Sequence, residues 1–385
     1  MSSKRSGSTV GSRNFDPDAF FDRWTSSALP VGNDLRSAII KAFGLPADDS
    51  YVYHAVASVT LAQVQSAINA GRQHGLHAWY IEKSGDTTEE QFPDPKDIEA
   101  YIAIFSPVTS TTKALAAFAS NAKKGTPRAH SAPHLHAHLL LPPDTNLRLP
   151  AKAKPASLYN PEYRNPYLDL WSWSARTLDW SGPTPATAHV KQSHHVLPVL
   201  YHHFGCVCPS HDALSLIAQL CGSAAGQRKG ATRPVVEIGS GNGYWAFVLR
   251  RRGVRVWAVD NAVSAWRTMW IGDTIRADGP GFLRRPPGEV AGEVGGAGAP
   301  GAVLLMVYPQ VSGDFTARVV EAYTGDTIVV AGTQNENRFT GFAGETVEEW
   351  MARERKRFEK ICQVPLPSFA GKDDALFIFK RIAGG

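Results

Sequence analysis

Residues 234–261 read PVVEIGSGNGYWAFVLRRRGVRVWAVDN, and this stretch decides the fold. Pro234 to Ile238 is a short β-branched apolar run, the pattern of a strand buried on both faces of a parallel sheet. Five residues, Gly239-Ser240-Gly241-Asn242-Gly243, follow at once. Tyr244 to Arg252 carries Trp245, Val248 and Leu249 at helical spacing, and Gly253 stands where a helix stops. Arg255 to Val259 is a second short strand, closed by Asp260. Strand, glycine turn, helix and strand in that order predict an α/β fold with a parallel sheet.

The same order carries chemistry. Glycines after a strand let backbone pass close to a ligand because no Cβ intervenes. The helix that begins there offers unpaired N–H groups. An acid at the tip of the next strand can accept both hydroxyls of a ribose. A nucleoside is therefore expected across the two strand ends. A dinucleotide fingerprint is Gly-x-Gly-x-x-Gly. Here the third glycine comes one residue early, and Glu237 stands two residues before the first. A degenerate nicotinamide or flavin domain is the competing reading.

The form Glu-x-Gly-x-Gly-x-Gly resembles the first motif of the class I S-adenosylmethionine (SAM) methyltransferases, and the spacing from Gly243 to Asp260 is similar to theirs. The resemblance implies SAM as cofactor. It places Glu237 near the methionine amino end, has Gly239, Ser240, Gly241, Asn242 and Gly243 back the ribose, and sets Asp260 and Asn261 beside the ribose hydroxyls. In that family the segment before the motif crosses the methionine end, which brings in Phe204, Gly205 and Pro209.

Composition frames this reading. The chain has 385 residues, 43% hydrophobic and 19% charged, an ordinary globular balance. No apolar run has the length of a membrane span and no secretory leader is evident, so no membrane partner is expected. Four cysteines do not make a disulfide framework and point to a reducing compartment, taken as the cytoplasm, with nucleus and mitochondrion open. A net charge of +5 permits an anionic partner without requiring one.

Three regions are expected. Residues 1–14 are Ser, Gly, Lys and Arg with almost nothing apolar, a disordered tail. Residues 15–157 read as mainly helical, with helices over Asp34–Phe43, Thr60–Ala70, Ile98–Phe105 and Thr112–Ala122; His77–Glu82 is read as a short strand or a buried helix end. Residues 158–385 form the cofactor domain, with its core at 201–382. Between them, His130, His134, His136 and His138 alternate as on one strand face; polar loop histidines are the simpler reading, and no metal is assigned. Cys206-Val207-Cys208 has the wrong spacing for a zinc knuckle. It is read as a loop before a helix that Ser210 caps. Tyr159 to Trp180 holds three tryptophans and three tyrosines, a core patch or a wall for a flat substrate.

Downstream, a short helix is expected after Asp260, then a third strand at Thr274–Ala277. By the resemblance, Asp278 with Gly279 after it meets the adenine amino group, with Asp273 as the rival. Residues 284–301 are a low-complexity loop. Ala302–Val307 is the fourth strand and ends Tyr308-Pro309-Gln310. Methyltransferases acting on amino groups carry Asn-Pro-Pro-Tyr or a relative there. In this chain Val307 replaces the Asn and the aromatic precedes the single proline. Tyr308 and Pro309 are the residues assigned to the acceptor pocket; His194, His195, His202 and His203 are upstream candidates for a base. Thr327–Ala331 is the fifth strand, Thr346–Ile361 a helix, and Val364–Phe369 with Leu376–Arg381 a closing antiparallel pair. EIGSGNGYW, LLMVYPQ and AYTGDTIVVAGTQ are similar to the corresponding runs of a group of methyltransferase-like proteins for which the resemblance names no substrate. The expectation is thus a SAM-dependent methyltransferase, a seven-stranded mostly parallel sheet with helices on both faces. Its acceptor is RNA, protein or a flat small molecule, and the alternative is a non-catalytic scaffold or partner-binding subunit on the same fold.

Overall fold

The computed structural model describes residues 15–54, 58–81, 92–154, 163–222, 233–262, 267–286, 297–311, 313–335, 339–342 and 344–382. The tail at 1–14, the boundary at 157/158, most of the low-complexity loop and residues 263–266 after Asp260 lie outside them. Residues 267–272 are not helical.

One sheet of seven strands organises the chain. In sequence order these are β1 Val235–Ile238, β2 Val256–Asp260, β3 Ile275–Arg276, β4 Val303–Val307, β5 Thr327–Thr333, β6 Phe358–Pro365 and β7 Asp374–Arg381. In space they run β3-β2-β1-β4-β5-β7-β6. The first five are parallel, and β7 lies antiparallel to both β5 and β6. The chain steps outward from β1 to β3, then returns to β4 on the other side of β1. That reversal opens a crevice at the carboxyl ends of β1 and β4, where open α/β sheets bind ligands.

Side chains alternate through the sheet as strand geometry requires. Val235, Val303, Leu305, Val329 and Ala331 face one core. Val236, Ile238, Leu304, Met306, Ile328 and Val330 face the other. The second core is closed by helices Gly279–Arg284, Phe315–Ala322 and Val347–Glu354, which supply Phe282, Val319 and Trp350. The first is closed by His211–Leu220 and Tyr244–Arg250. It then continues without a break into the N-terminal helices, through Phe20, Ile39, Ile68, Tyr101 and Phe118. The N-terminal region thus shares its core with the sheet.

Most expected helices form with the caps the sequence offers. Asp34 accepts from Ser37 N at the start of Leu35–Phe43, and Thr60 with Gln63 makes a capping box on Leu61–Ala70. Ser210 accepts from Ala213 N, as expected. Four readings change. His77–Ile81 is neither strand nor helix; Trp79 is buried there and donates its indole N–H to Leu178 O. His130, His134 and His136 lie in a helix, Pro127–Ala137, started by Thr126 as cap and Pro127 in its first turn, and His138 is its C-cap, with its ring centroid 4.5 Å from that of His134. A helix at Leu197–Phe204 precedes the cysteine loop. The helix expected over Thr346–Ile361 ends at Glu354, and residues from Phe358 join β6 instead, because all of β7 needs a partner on that edge. The aromatic stretch is core: in helix Pro166–Thr177, Tyr167 and Trp171 are fully buried, and Trp171 and Trp180 both donate to Ser368 O. Tyr159 lies outside the described residues.

Candidate functional site

A cleft of about 500 Å³ occupies the crevice. Its floor is the turn after β1. Gly239, Gly241 and Gly243 all have positive φ, between 57° and 78°, a conformation that side-chain-bearing residues resist. Added methyl groups at Gly239 and Gly241 would meet little, whereas at Gly243 one would strike Ile271 at 2.3 Å. Gly239 and Gly241 therefore leave backbone bare toward the cleft, and Gly243 serves packing. Asp260 locks this turn: one carboxylate oxygen accepts from Gly241 N at 2.8 Å and the other from Ala262 N at 2.9 Å. Each oxygen retains lone-pair capacity for a ligand hydroxyl.

Three buried polar groups around the turn lack partners: Glu237 Oε2, Ser240 Oγ and Asn242 Nδ2. Buried polar atoms are ordinarily paired, so an acceptor, a hydroxyl and a donor gathered in one cleft fit a polar ligand. Burial pushes the Glu237 carboxyl up to about 8, with Arg250 opposing and Asp260 reinforcing the rise. The free cleft therefore holds Glu237 protonated at neutral pH.

The wall opposite the glycines is the segment Phe204-Gly205-Cys206. The residues after motif glycines, Tyr244 and Trp245, hold it. Trp245 donates to Val207 O at 2.9 Å, and Tyr244 Oη donates to Asn165 Oδ1 at 2.8 Å. Gly205 has φ 101° and lies so near Asn242 that a Cβ would stand 3.4 Å from its Oδ1. Pro209 does not line the cleft; its carbonyl accepts from Asn165 Nδ2.

At the far side, Val307, Tyr308, Pro309 and Gln310 follow β4. Tyr308 has φ 51°, a strained setting for a bulky residue that recurs at functional sites. It is held there by Tyr308 N donating to Ala331 O and Gly341 N donating to Pro309 O. Ile238, Ala262 and Phe315 give an apolar slot. Gly279 backs it; a Cβ there would lie 2.3 Å from Ile238. Asp278 does not line the cleft and instead caps the helix Gly279–Arg284, accepting from Gly281 N at 3.0 Å. Asp278→Ala is expected to cost about 1 kcal/mol of stability in a urea titration. Asp278→Asn keeps a cap and is expected to leave that stability nearly unchanged.

The four candidate histidines do not line the cleft. His202 accepts or donates with Tyr51 Oη, and His203 bridges Tyr53 Oη and Thr268 Oγ1. Burial depresses the pKa of all four; His194, His202 and His203 are buried and His195 is half-buried. Among the described residues no three His, Cys, Asp or Glu side chains are poised to hold a metal ion. No helix among them is long and apolar enough to cross a membrane. Sequence reading missed Arg267, Cys206 and Phe315, which line the cleft, and Lys372, whose Nζ donates to Tyr308 Oη at 2.9 Å. A lysine in the turn Gly371-Lys372-Asp373 carries no sequence signal of burial, yet it is 5% exposed.

No family model matches the chain, and no curated protein matches it in sequence. Among solved structures it is similar to magnesium protoporphyrin IX methyltransferase from Synechocystis PCC 6803 with bound SAM, at 10% identity, covering 44% of this chain and 77% of that one with a TM-score of 0.29. It is similar to a SAM-dependent methyltransferase from Anabaena variabilis at 12% identity, covering 43% and 84%, TM-score 0.29. It is also similar to 1,6-didemethyltoxoflavin-N1-methyltransferase from Burkholderia thailandensis with bound S-adenosylhomocysteine, at 14% identity, covering 44% and 76%, TM-score 0.27. These likenesses span less than half of this chain, and the reading of the cleft rests on its own residues.

Proposed function

We propose that the protein is a SAM-dependent methyltransferase. The observation that carries this is the set of unpartnered buried groups, Glu237 Oε2, Ser240 Oγ and Asn242 Nδ2, gathered on a glycine turn whose next strand ends in Asp260. SAM supplies an electrophilic methyl group on a sulfonium. Asp260 accepts the ribose hydroxyls, and the bare backbone at Gly239 and Gly241 lets the ribose lie close. Ile238, Ala262 and Phe315 enclose the adenine. Glu237 and Asn242 meet the methionine end, where Phe204, Gly205 and Cys206 cover it. Tyr308 and Pro309 border the acceptor. The chain's contribution to rate is placement in line with the methyl group and exclusion of water. Tritiated methyl transfer from micromolar SAM onto cell extract tests this: label is expected in an acceptor with the wild-type protein and far less with Asp260→Ala. Binding of SAM with no transfer to any extract would favour the partner-binding scaffold.

A further inference from the structure

Tyr308 joins the cleft to a second, buried set of groups. Lys372 Nζ, which donates to Tyr308 Oη, lies 3.2 Å from the Phe339 ring centroid, 5.2 Å from that of Tyr308 and 6.0 Å from that of Tyr201. Lys372 does not itself line the cleft; the Tyr308 hydroxyl is its contact with it. Asp374, 2% exposed, keeps Oδ1 without a hydrogen-bond partner, and so does the Tyr201 hydroxyl. Burial lowers the Lys372 amine to about 8, against the opposing pull of Asp374 and Cys206. Burial raises Asp374 to about 7, with Lys372 opposing and Asp373 reinforcing, and it raises the Tyr308 phenol above its ordinary value. Asp373, next in the turn, is engaged elsewhere, with His134 Nε2 at 2.6 Å and Gln334 Nε2 at 2.8 Å.

A lysine ammonium only donates, whereas its neutral amine accepts. When Lys372 is neutral, the Tyr308 proton turns to Nζ and the phenol oxygen is free to take a proton from the cleft. When Lys372 is charged, Tyr308 presents its proton to an oxygen in the cleft. The charges around the cleft select what that oxygen belongs to. The carboxylates that line it, Glu237 and Asp260, are both on the glycine-turn side. Arg267 stands over the glycine turn, its Nη1 3.7 Å from where a Cβ at Gly241 would lie, whereas the acceptor side is linked through Tyr308 to Lys372, whose ammonium, once formed by the transfer, favours an oxyanion over an ammonium. Val307, which lines the cleft, offers no side-chain oxygen to hold an N–H.

We propose that Tyr308 and Lys372 form a proton relay that ionises the methyl acceptor, and that the acceptor is a weakly acidic hydroxyl compound, a phenol or an enol. This rests on the methyltransferase reading. In the transfer, an acceptor oxygen lone pair forms the bond to the methyl carbon. The carbon–sulfur pair stays with sulfur, which becomes the neutral thioether. The hydroxyl proton passes to Tyr308 Oη while the Tyr308 proton passes to Lys372 Nζ. The ammonium so formed lies beside Asp374.

The test is titration of 4-nitrophenol into the full chain saturated with S-adenosylhomocysteine, followed by phenolate absorbance between about pH 6 and about pH 9. Saturable binding is expected, with the phenolate appearing at lower pH than in free solution. Lys372→Met and Tyr308→Phe are expected to weaken it at least tenfold, about 1.4 kcal/mol, and to abolish the shift. Lys372→Arg keeps the charge and cannot accept a proton, so it is expected to bind the phenolate without proton uptake. Benzylamine, the cationic counterpart, is expected not to compete. No saturable binding with S-adenosylhomocysteine in place, binding by Lys372→Met equal to wild type, proton uptake by Lys372→Arg, or displacement by benzylamine would each overturn the relay. Failure of the wild-type protein to bind S-adenosylhomocysteine would instead overturn the methyltransferase reading.

Discussion

Raising the pH from about 5.5 to about 7.5 is expected to tighten SAM binding roughly 100-fold in the wild-type protein and to leave Glu237→Gln unchanged. The free cleft holds Glu237 protonated up to about 8, because burial outweighs the help of Arg250. The methionine amine of SAM is a cation in this window and favours the carboxylate, so binding expels the Glu237 proton. Each pH unit below the free value then weakens binding about tenfold, and the dependence flattens above it. The same shift acts on the free protein with the opposite sense. A carboxyl whose folded pKa is raised contributes stability that is complete below its ordinary value of 4.5 and is lost as pH rises through about 8. SAM should therefore restore melting temperature most at the alkaline end. Calorimetry in two buffers of different ionisation enthalpy reads the proton directly. A pH-independent affinity would remove Glu237 from the cofactor site.

Asp260→Ala is expected to weaken SAM binding about 100-fold or more, about 3 kcal/mol, at every pH. Two losses combine. The ribose hydroxyls lose their acceptor, and the amides of Gly241 and Ala262 lose the carboxylate that fixes the turn. Asp260→Asn keeps one acceptor oxygen and should fall between. The two effects separate in the free protein: loosening of the turn appears in hydrogen exchange at Gly241, and ribose loss does not. Equal affinity in wild type and Asp260→Ala would mean that the ligand does not cross β2.

The sheet was legible because its residues obey local rules. Val235-Val236-Glu237-Ile238 is β-branched and closes on glycines, and β4 and β5 are continuous apolar runs. Asp260 was legible for the same reason, as an acid fixed at a strand tip. The closing antiparallel pair was legible too, but the first residues of the edge strand β6 were not. Its first residues continue a helical charge pattern through Arg353 to Arg357, and only pairing with β7 overrides it. Helical placement of His130 to His136 was hidden by period-two spacing, which tertiary packing overrode. At the site, the missed residues come from afar. Arg267 follows β2 by a few residues, but Lys372 arrives from a turn between β6 and β7. That turn is drawn inward by His134 on the N-terminal helix and by Gln334 after β5. No local pattern encodes a contact that spans 239 residues. Tyr308 was legible by position, while its positive φ and its lysine partner needed the fold.

The most direct measurement is calorimetric titration of the full chain with SAM and with NADH at about pH 9, above the value of about 8 to which burial raises Glu237. The account expects saturable SAM binding at one site with micromolar affinity, about −8 kcal/mol, and none for NADH. Saturable NADH binding with no heat from SAM would contradict it and return the glycine turn to a nicotinamide.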